Sequence, residues 1–378
     1  MKATREMVLC APDASGAGNW LSDIEGSPWN KRGWTLQERS VSTRMLHFCK
    51  TKLYFECRGC VRSEENEPFG RYMPRVFEMW PRGEDKKPKD LLPQYPDIKS
   101  QRRGDLHKRW IRAVTEYSRR RLTKETDKLL AIQVLAAEIS TTVDDIYIPY
   151  AGMWERQLHR DLLWQVLGRP RSLQDKYLAP SWSWVSVDAG IKWEAGSIPI
   201  TPSNSSLPSN SFSVLNIASH VKTSQPSRHF LKVRAFLKPI AFPLECDIGD
   251  RWVNVSRFTF PFDLFISNRS LHTKEHETSI STLSIAERQM AIDEGRFIKF
   301  AEGRLDLDDT DDLTKSQRPI FYLHVDHAQP SGLILEPVTD TKRLWKRVGV
   351  ATVFASNKDL FIDPCFAESE QQAEVTII

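Results

Sequence analysis

A chain of 378 residues, 40% hydrophobic and 27% charged, can bury a sizeable core and suggests two to three domains of roughly 150 residues each. Its 53 Lys and Arg against 49 Asp and Glu leave a net charge of +4, too balanced for nucleic acid as an obligate partner. Six cysteines in no framework spacing, an N-terminus without an apolar core and no apolar run near about 18 residues argue against a disulfide scaffold, a secretion leader and a membrane span, so a cytoplasmic protein is expected.

Thr35-Leu-Gln-Glu38 fits a capping box, in which the Thr hydroxyl takes one free N–H and the Glu reaches back to the cap, so a short helix is expected after Trp34. Arg44-Met-Leu-His-Phe48 and Lys52-Leu-Tyr-Phe-Glu-Cys57 read as two strands joined by a hairpin turn. Residues 62–104, charged and rich in proline, read as an irregular excursion. Leu106, Trp110, Val114 and Tyr117 then form one stripe of an amphipathic helix capped by Asp105. A second helix follows Thr123 with Leu129, Ile132, Leu135 and Ile139 on its apolar face, and a third is expected from Met153 to Val166.

Ten of the twelve tryptophans lie in the first 193 residues, and a Pro/Ser-rich linker follows at 198–210. Beyond it the period becomes strand-like around Phe230, Trp252, Phe297, Phe321, Gly332 and Arg347. The expected fold class is α+β, with a helical region over 105–197 and a β-rich sandwich or barrel over 211–378.

Most motifs with possible chemistry have a blander reading. His272-Thr-Lys-Glu-His276 has the spacing of an inverted zinc signature but sits in polar sequence without an apolar-backed helix. His47, Cys49, Cys57 and Cys60 would make a Cys3His zinc set, although Cys57 also reads as a small residue ending a strand. Asp306 to Asp312 lacks the glycine and glutamate of a calcium loop and reads as a solvated acidic loop. Nine Lys and Arg between Lys99 and Arg121 read as a solvated helix face, and His324 with Asp326 as a surface or edge feature. No metal and no cofactor is expected. Glu38, a carboxylate near Trp29, Trp34 and Arg32, is the one candidate acid or base, against a plain capping role.

Arg32-Gly-Trp-Thr-Leu-Gln-Glu-Arg-Ser-Val-Ser-Thr-Arg-Met-Leu-His-Phe48 followed by Leu53-Tyr-Phe-Glu-Cys57 resembles the end of the fungal heterokaryon incompatibility (HET) domain, with Val41 and Phe55 where that family has leucine and tryptophan. Tyr117 to Thr123, Tyr150-Ala-Gly-Met-Trp-Glu155, Leu162-Leu-Trp164, Ala179-Pro-Ser-Trp-Ser-Trp184, Gly332-Leu-Ile-Leu-Glu-Pro337 and Lys346-Arg-Val-Gly-Val350 look like the segments that follow it, in order. The family's opening Y-x-A-L-S-Y-x-W-G and W-I-D-x-x-C-I-N-Q segments are absent, so the resemblance implies a chain that starts inside the domain, residues 1–60 being its C-terminal part. It further implies a remnant of a TIR-like α/β fold, the motif residues Arg32, Gly33, Trp34, Thr35, Gln37, Glu38, Arg44, Glu56 and Cys57, protein partners, and self/non-self recognition linked to programmed cell death. The alternatives it leaves are a NAD-hydrolysing effector using Glu38 and an inactive truncated paralogue.

Overall fold

The computed structural model describes residues 20–50, 52–57, 61–65, 103–140, 145–171, 177–193, 212–220, 228–240, 245–247, 252–254, 262–267, 285–306, 320–326, 331–338, 344–354 and 372–378. The chain forms two compact units, Met1–Ala113 with Arg120–Thr142, and Val114–Arg119 with Val143–Ile378. Helices and a large sheet coexist, so the fold class is α+β. Among the described residues no helix is long and apolar enough to cross a membrane.

In the first unit a π-helical turn, Leu21–Glu25, leads to helix α1 (Gly33–Val41) and a three-stranded antiparallel sheet of β1 (Arg44–Phe48), β2 (Leu53–Cys57) and β3 (Val61–Ser63), in that order. The expected hairpin is present, with Leu46 opposite Phe55 and Phe48 opposite Leu53. Trp20, Ile24, Tyr54 and Val61 form a small core beneath its inner face. Helix α2 (Arg103–Ser118) begins in this unit, its residues from Val114 on belonging to the second; α3 (Leu130–Ser140) follows, and α1 packs against α3.

Several helix boundaries differ from expectation. α1 begins at Gly33, ahead of the capping box, so Thr35 Oγ1 donates to Trp29 O at 2.8 Å instead of capping. The cap is a main-chain clasp: Gly33 N donates to Arg121 O and Arg121 N to Lys31 O, each at 2.7 Å. Asp105 lies inside α2, and Thr123 precedes a short 3₁₀ turn, Glu125–Asp127, ahead of α3. Trp110, Val114 and Tyr117 are buried as their spacing requires, while Ile132 and Leu135 carry the buried face of α3.

In the second unit β4 (Tyr147–Ile148) is followed, in place of the expected third helix, by three short elements: β5 (Met153–Trp154), α4 (Leu158–Asp161) and β6 (Gln165–Arg171), the last pairing with β7 (Asp188–Lys192). Gly152, at φ +66°, ends the turn between the paired strands β4 and β5. Trp154, Trp164, Trp182, Trp184 and Trp193 are all buried here.

The remaining strands are β8 (Phe212–His220), β9 (Arg228–Ala235), β10 (Leu237–Ile240), the small hairpin β11 (Glu245–Asp247) with β12 (Trp252–Asn254), β13 (Phe262–Ser267), β14 (Phe297–Leu305), β15 (Ile320–Asp326), β16 (Ser331–Pro337), β17 (Leu344–Val353) and β18 (Ala373–Ile377), with helix α5 (Ile285–Asp293) ahead of β14. Nine of them make one sheet ordered β10-β15-β16-β17-β18-β9-β8, with β14 branching from β17 and β13 from β14. Among the described strands the β-rich part is thus one branched nine-stranded sheet beside the separate β11–β12 hairpin. Ile320–Val325 and Ser331–Glu336 are buried on both faces. Strand β18 pairs parallel with β17 through Leu344 and Trp345 and antiparallel with β9 along its whole length. The linker expected at 198–210 lies outside the described residues.

Candidate functional site

Helix α1 buries Leu36, Arg39 and Ser40 and leaves Glu38 exposed, so the carboxylate expected to be activated among Trp29, Trp34 and Arg32 points to solvent. The buried ionic residue is its neighbour. Arg39 Nη2 lies 2.6 Å from Glu56 Oε1 and 3.1 Å from Glu25 Oε1, Nε lies 3.2 Å from Glu56 Oε2, and Nη1 donates to Asn30 Oδ1 at 2.6 Å. His47 Nε2 is 2.6 Å from Glu56 Oε2, so one carboxylate of β2 ties together α1 and β1. Asn30 Nδ2 donates to Glu25 Oε2 at 3.0 Å and Trp20 Nε1 to Glu25 Oε1 at 3.2 Å. Trp20 and Trp29 meet the His47 ring edge-on at 5.6 and 5.3 Å.

Burial is the largest influence on Glu56 and would push its carboxyl up, but the His47 hydrogen bond and the Arg39 guanidinium outweigh it and hold it below the ordinary carboxylate value. Burial likewise works against the Arg39 charge, and Glu56 and then Glu25 overcome it. Every Glu56 oxygen is engaged by Arg39 or His47. The nearby thiol of Cys49 donates to Asp23 O at 3.8 Å and is pushed up by burial and by Asp23, which suppresses thiolate character. The chemistry this arrangement supplies is a buried, hydrogen-bonded ionic pin that orients a helix and two strands.

The remaining motif residues take separate places. Arg32 is exposed and forms a main-chain bridge with Arg121, and Gly33 supplies the clasp described above. The Arg120 guanidinium donates to Asn30 O, and Trp34 Nε1 to Asp127 Oδ2 at 3.3 Å. Gln37 is half-buried with Oε1 unbonded. Arg44 and Cys57 face each other on the outer side of the sheet, away from His47 and Cys49. That parity separates Cys57 from His47 and Cys49, the members of the Cys3His alternative, and no group of three metal-binding side chains occurs among the described residues. Cys60 and His272 to His276 lie outside the described residues.

With its inner side committed, the sheet presents Arg44, Leu46, Phe48, Leu53, Phe55 and Cys57 outward. Phe48 is 82% exposed and Leu46 57%.

The second unit has its own buried ion pair. Arg347 Nε lies 2.7 Å from Asp306 Oδ2, and the guanidinium also donates to Leu162 O and to Trp164 O while stacking 3.5 Å above the Trp164 ring. Asp306 is therefore a buried partner and not part of a solvated acidic loop. Burial pushes its carboxyl up and the Arg347 guanidinium down, each opposed by the other's charge. His324, expected at a surface or edge, is fully buried with Nδ1 3.0 Å from Tyr322 Oη, because β15 has neighbours on both sides and a bulge follows His324.

Segments far apart in sequence converge around Arg347. Its N–H donates to Ser181 Oγ at 3.0 Å, and the Ser181 hydroxyl and N–H both donate to Ile378 O. Ser183 Oγ donates to Ala151 O at 2.7 Å and Trp184 Nε1 to Gly152 O at 2.9 Å. A cavity of about 320 Å³ opens beside this junction, with Tyr177, Ser181, His229, Lys346 and Arg347 on its walls. No protein-family model, no curated protein and no solved structure matches this chain.

Proposed function

We propose that this chain is a fungal self/non-self recognition protein of the heterokaryon incompatibility type, acting in the cytoplasm through protein partners and linked to programmed cell death. Residues 1–60 would then be a TIR-like remnant of the HET domain. The observation that carries the interaction reading is the outer face of the β1–β2–β3 sheet. Its inner residues are locked by Arg39, Glu56 and His47, while Leu46 and Phe48 stand exposed on the other side. The meeting of the 150–155, 162–164, 179–184 and 346–350 segments around Arg347 and Trp184 supports reading them as one set of motifs. The NAD-hydrolase alternative needs Glu38 in a sheltered site, and Glu38 is exposed.

Induced expression in fungal cells tests the proposal, with viability and intracellular NAD followed together for wild type, Phe48→Asp and Glu38→Ala. Wild type and Glu38→Ala should kill with NAD unchanged, and Phe48→Asp should not kill. Death with NAD loss that Glu38→Ala abolishes would replace the interaction reading with the hydrolase. No death from soluble wild type would favour the inactive paralogue.

A further inference from the structure

Strand β1 is at the edge of its sheet, with β2 on one side. Cys49 N donates to Lys52 O at 3.0 Å, which sets the antiparallel alternation: Met45, His47 and Cys49 turn their main-chain groups toward β2, and Arg44, Leu46 and Phe48 turn theirs to the open edge. Among the described residues no strand pairs with that edge. The same three residues carry the exposed side chains. The edge has no proline and no bulge, and a single charge, Arg44, is what it carries against edge pairing.

We infer that β1 pairs antiparallel with β1 of a second copy of this chain about a two-fold axis at Leu46. The inference deepens the interaction reading and rests on it for the use of this surface. The pairing is self-complementary. Leu46 meets the partner's Leu46, and Arg44 meets the partner's Phe48, a cation over an aromatic face, for about six new main-chain hydrogen bonds. The two Arg44 guanidiniums end roughly 13 Å apart, beyond the screening length of about 8 Å at physiological salt. Two three-stranded sheets become one, and the apolar row Phe55–Leu46 continues into the same row of the second copy. Stacking face to face is disfavoured, because the charged residues of the described outer face, Arg44 and Arg62, are both cationic and would be buried without a carboxylate.

The mass of the full chain, measured by sedimentation across a wide concentration series, should move from 43.6 kDa to twice that value. Leu46→Lys and Leu46→Glu should each weaken dimerisation by roughly a hundredfold or more while keeping the wild-type circular dichroism, since position 46 meets itself. Mixed in equal amounts, the two should recover the dimer. Phe48→Lys, at a still more exposed position, reads the flanking contact should a position-46 variant fold poorly. A wild type that stays monomeric, or a dimer that Leu46→Lys leaves intact, overturns the inference. A monomeric wild type whose killing still depends on Phe48 overturns the pairing alone and leaves the interaction reading with another partner, an acidic strand included. A Leu46-dependent dimer that never kills sustains the pairing and removes the cell-death reading.

Discussion

Arg39 and Glu56, brought together from a helix and a strand, share two hydrogen bonds of 2.6 and 3.2 Å inside the first unit. Glu38, the residue beside Arg39 in sequence, points the other way into solvent. Helical spacing separates the two roles: Leu36, Arg39 and Ser40 occupy the buried side of α1 and position 38 the opposite one.

Removing one member of a buried ion pair strands the other charge. Arg39→Ala should therefore lose about 3–5 kcal/mol of stability, leaving Glu56 without its guanidinium. Glu38→Ala should stay within about 0.5 kcal/mol of wild type. Urea unfolding of both variants measures the contrast, and equal losses would contradict the assignment of Arg39 as the pin.

The pH dependence of the pin has a defined sign. Glu56 titrates below its ordinary value of 4.5 in the folded chain, so it adds stability above that value and loses it as pH falls through the folded value. Glu56→Gln removes this contribution. Its deficit against wild type should be widest near neutrality and shrink as the pH drops below 4.5, when followed by thermal melts at a series of acidic pH values.

Arg347 offers a planar set of donors to Asp306, Leu162 O and Trp164 O while lying flat on an indole. A lysine keeps the charge but neither the fork nor the stacking surface. Arg347→Lys should cost about 2–4 kcal/mol, close to the loss in Arg347→Ala, because the carbonyls stay buried without donors in both. Calorimetry of the two variants checks this, and a lysine variant as stable as wild type would refute it.

Gly152 combines a φ of +66° with a close approach: a Cβ there would sit 2.8 Å from Trp184 Nε1. Its carbonyl also accepts the Trp184 indole N–H. Gly152→Ala should destabilise the second unit by on the order of 3 kcal/mol, from left-handed backbone strain plus a displaced indole. Trp fluorescence should shift along with the loss in a denaturant titration.

Amphipathic stripes and alternating strands could be read directly from residue order. Trp110, Val114 and Tyr117 lie on one face, and the β1–β2 hairpin forms where two apolar runs flank a polar turn. The Met153–Val166 segment could not be read that way, since Trp154, Leu158 and Leu162 satisfy helical spacing and are buried, yet tertiary pairing of Gln165–Arg171 with β7 decides otherwise. At the site, Glu56 and His47 were visible as individual residues, but their joining to Arg39 depends on where α1 starts, and that is set by Arg121, distant in sequence. The burial of Asp306 and His324 leaves no mark in residue order for a related reason: the partners that bury them, Arg347 and the neighbours of β15, come from other strands of the sheet.

The placement of β18 ties the sheet to the order in which the chain is synthesised. β9 is made early, yet one of its two neighbours is β18, which leaves the ribosome only after β10 to β17. Until residues 373–377 emerge, Leu231 and Val233 on β9 lack the strand that covers them, and Lys232 and Arg234 lack the carboxylate of Glu374, which they hold at a pKa of about 2. A message cut short, or a chain clipped before Gln372, therefore leaves an open β9 edge beside a sheet that already has its other strands, and such a product would be marked for aggregation or disposal while a chain that carries β18 is spared.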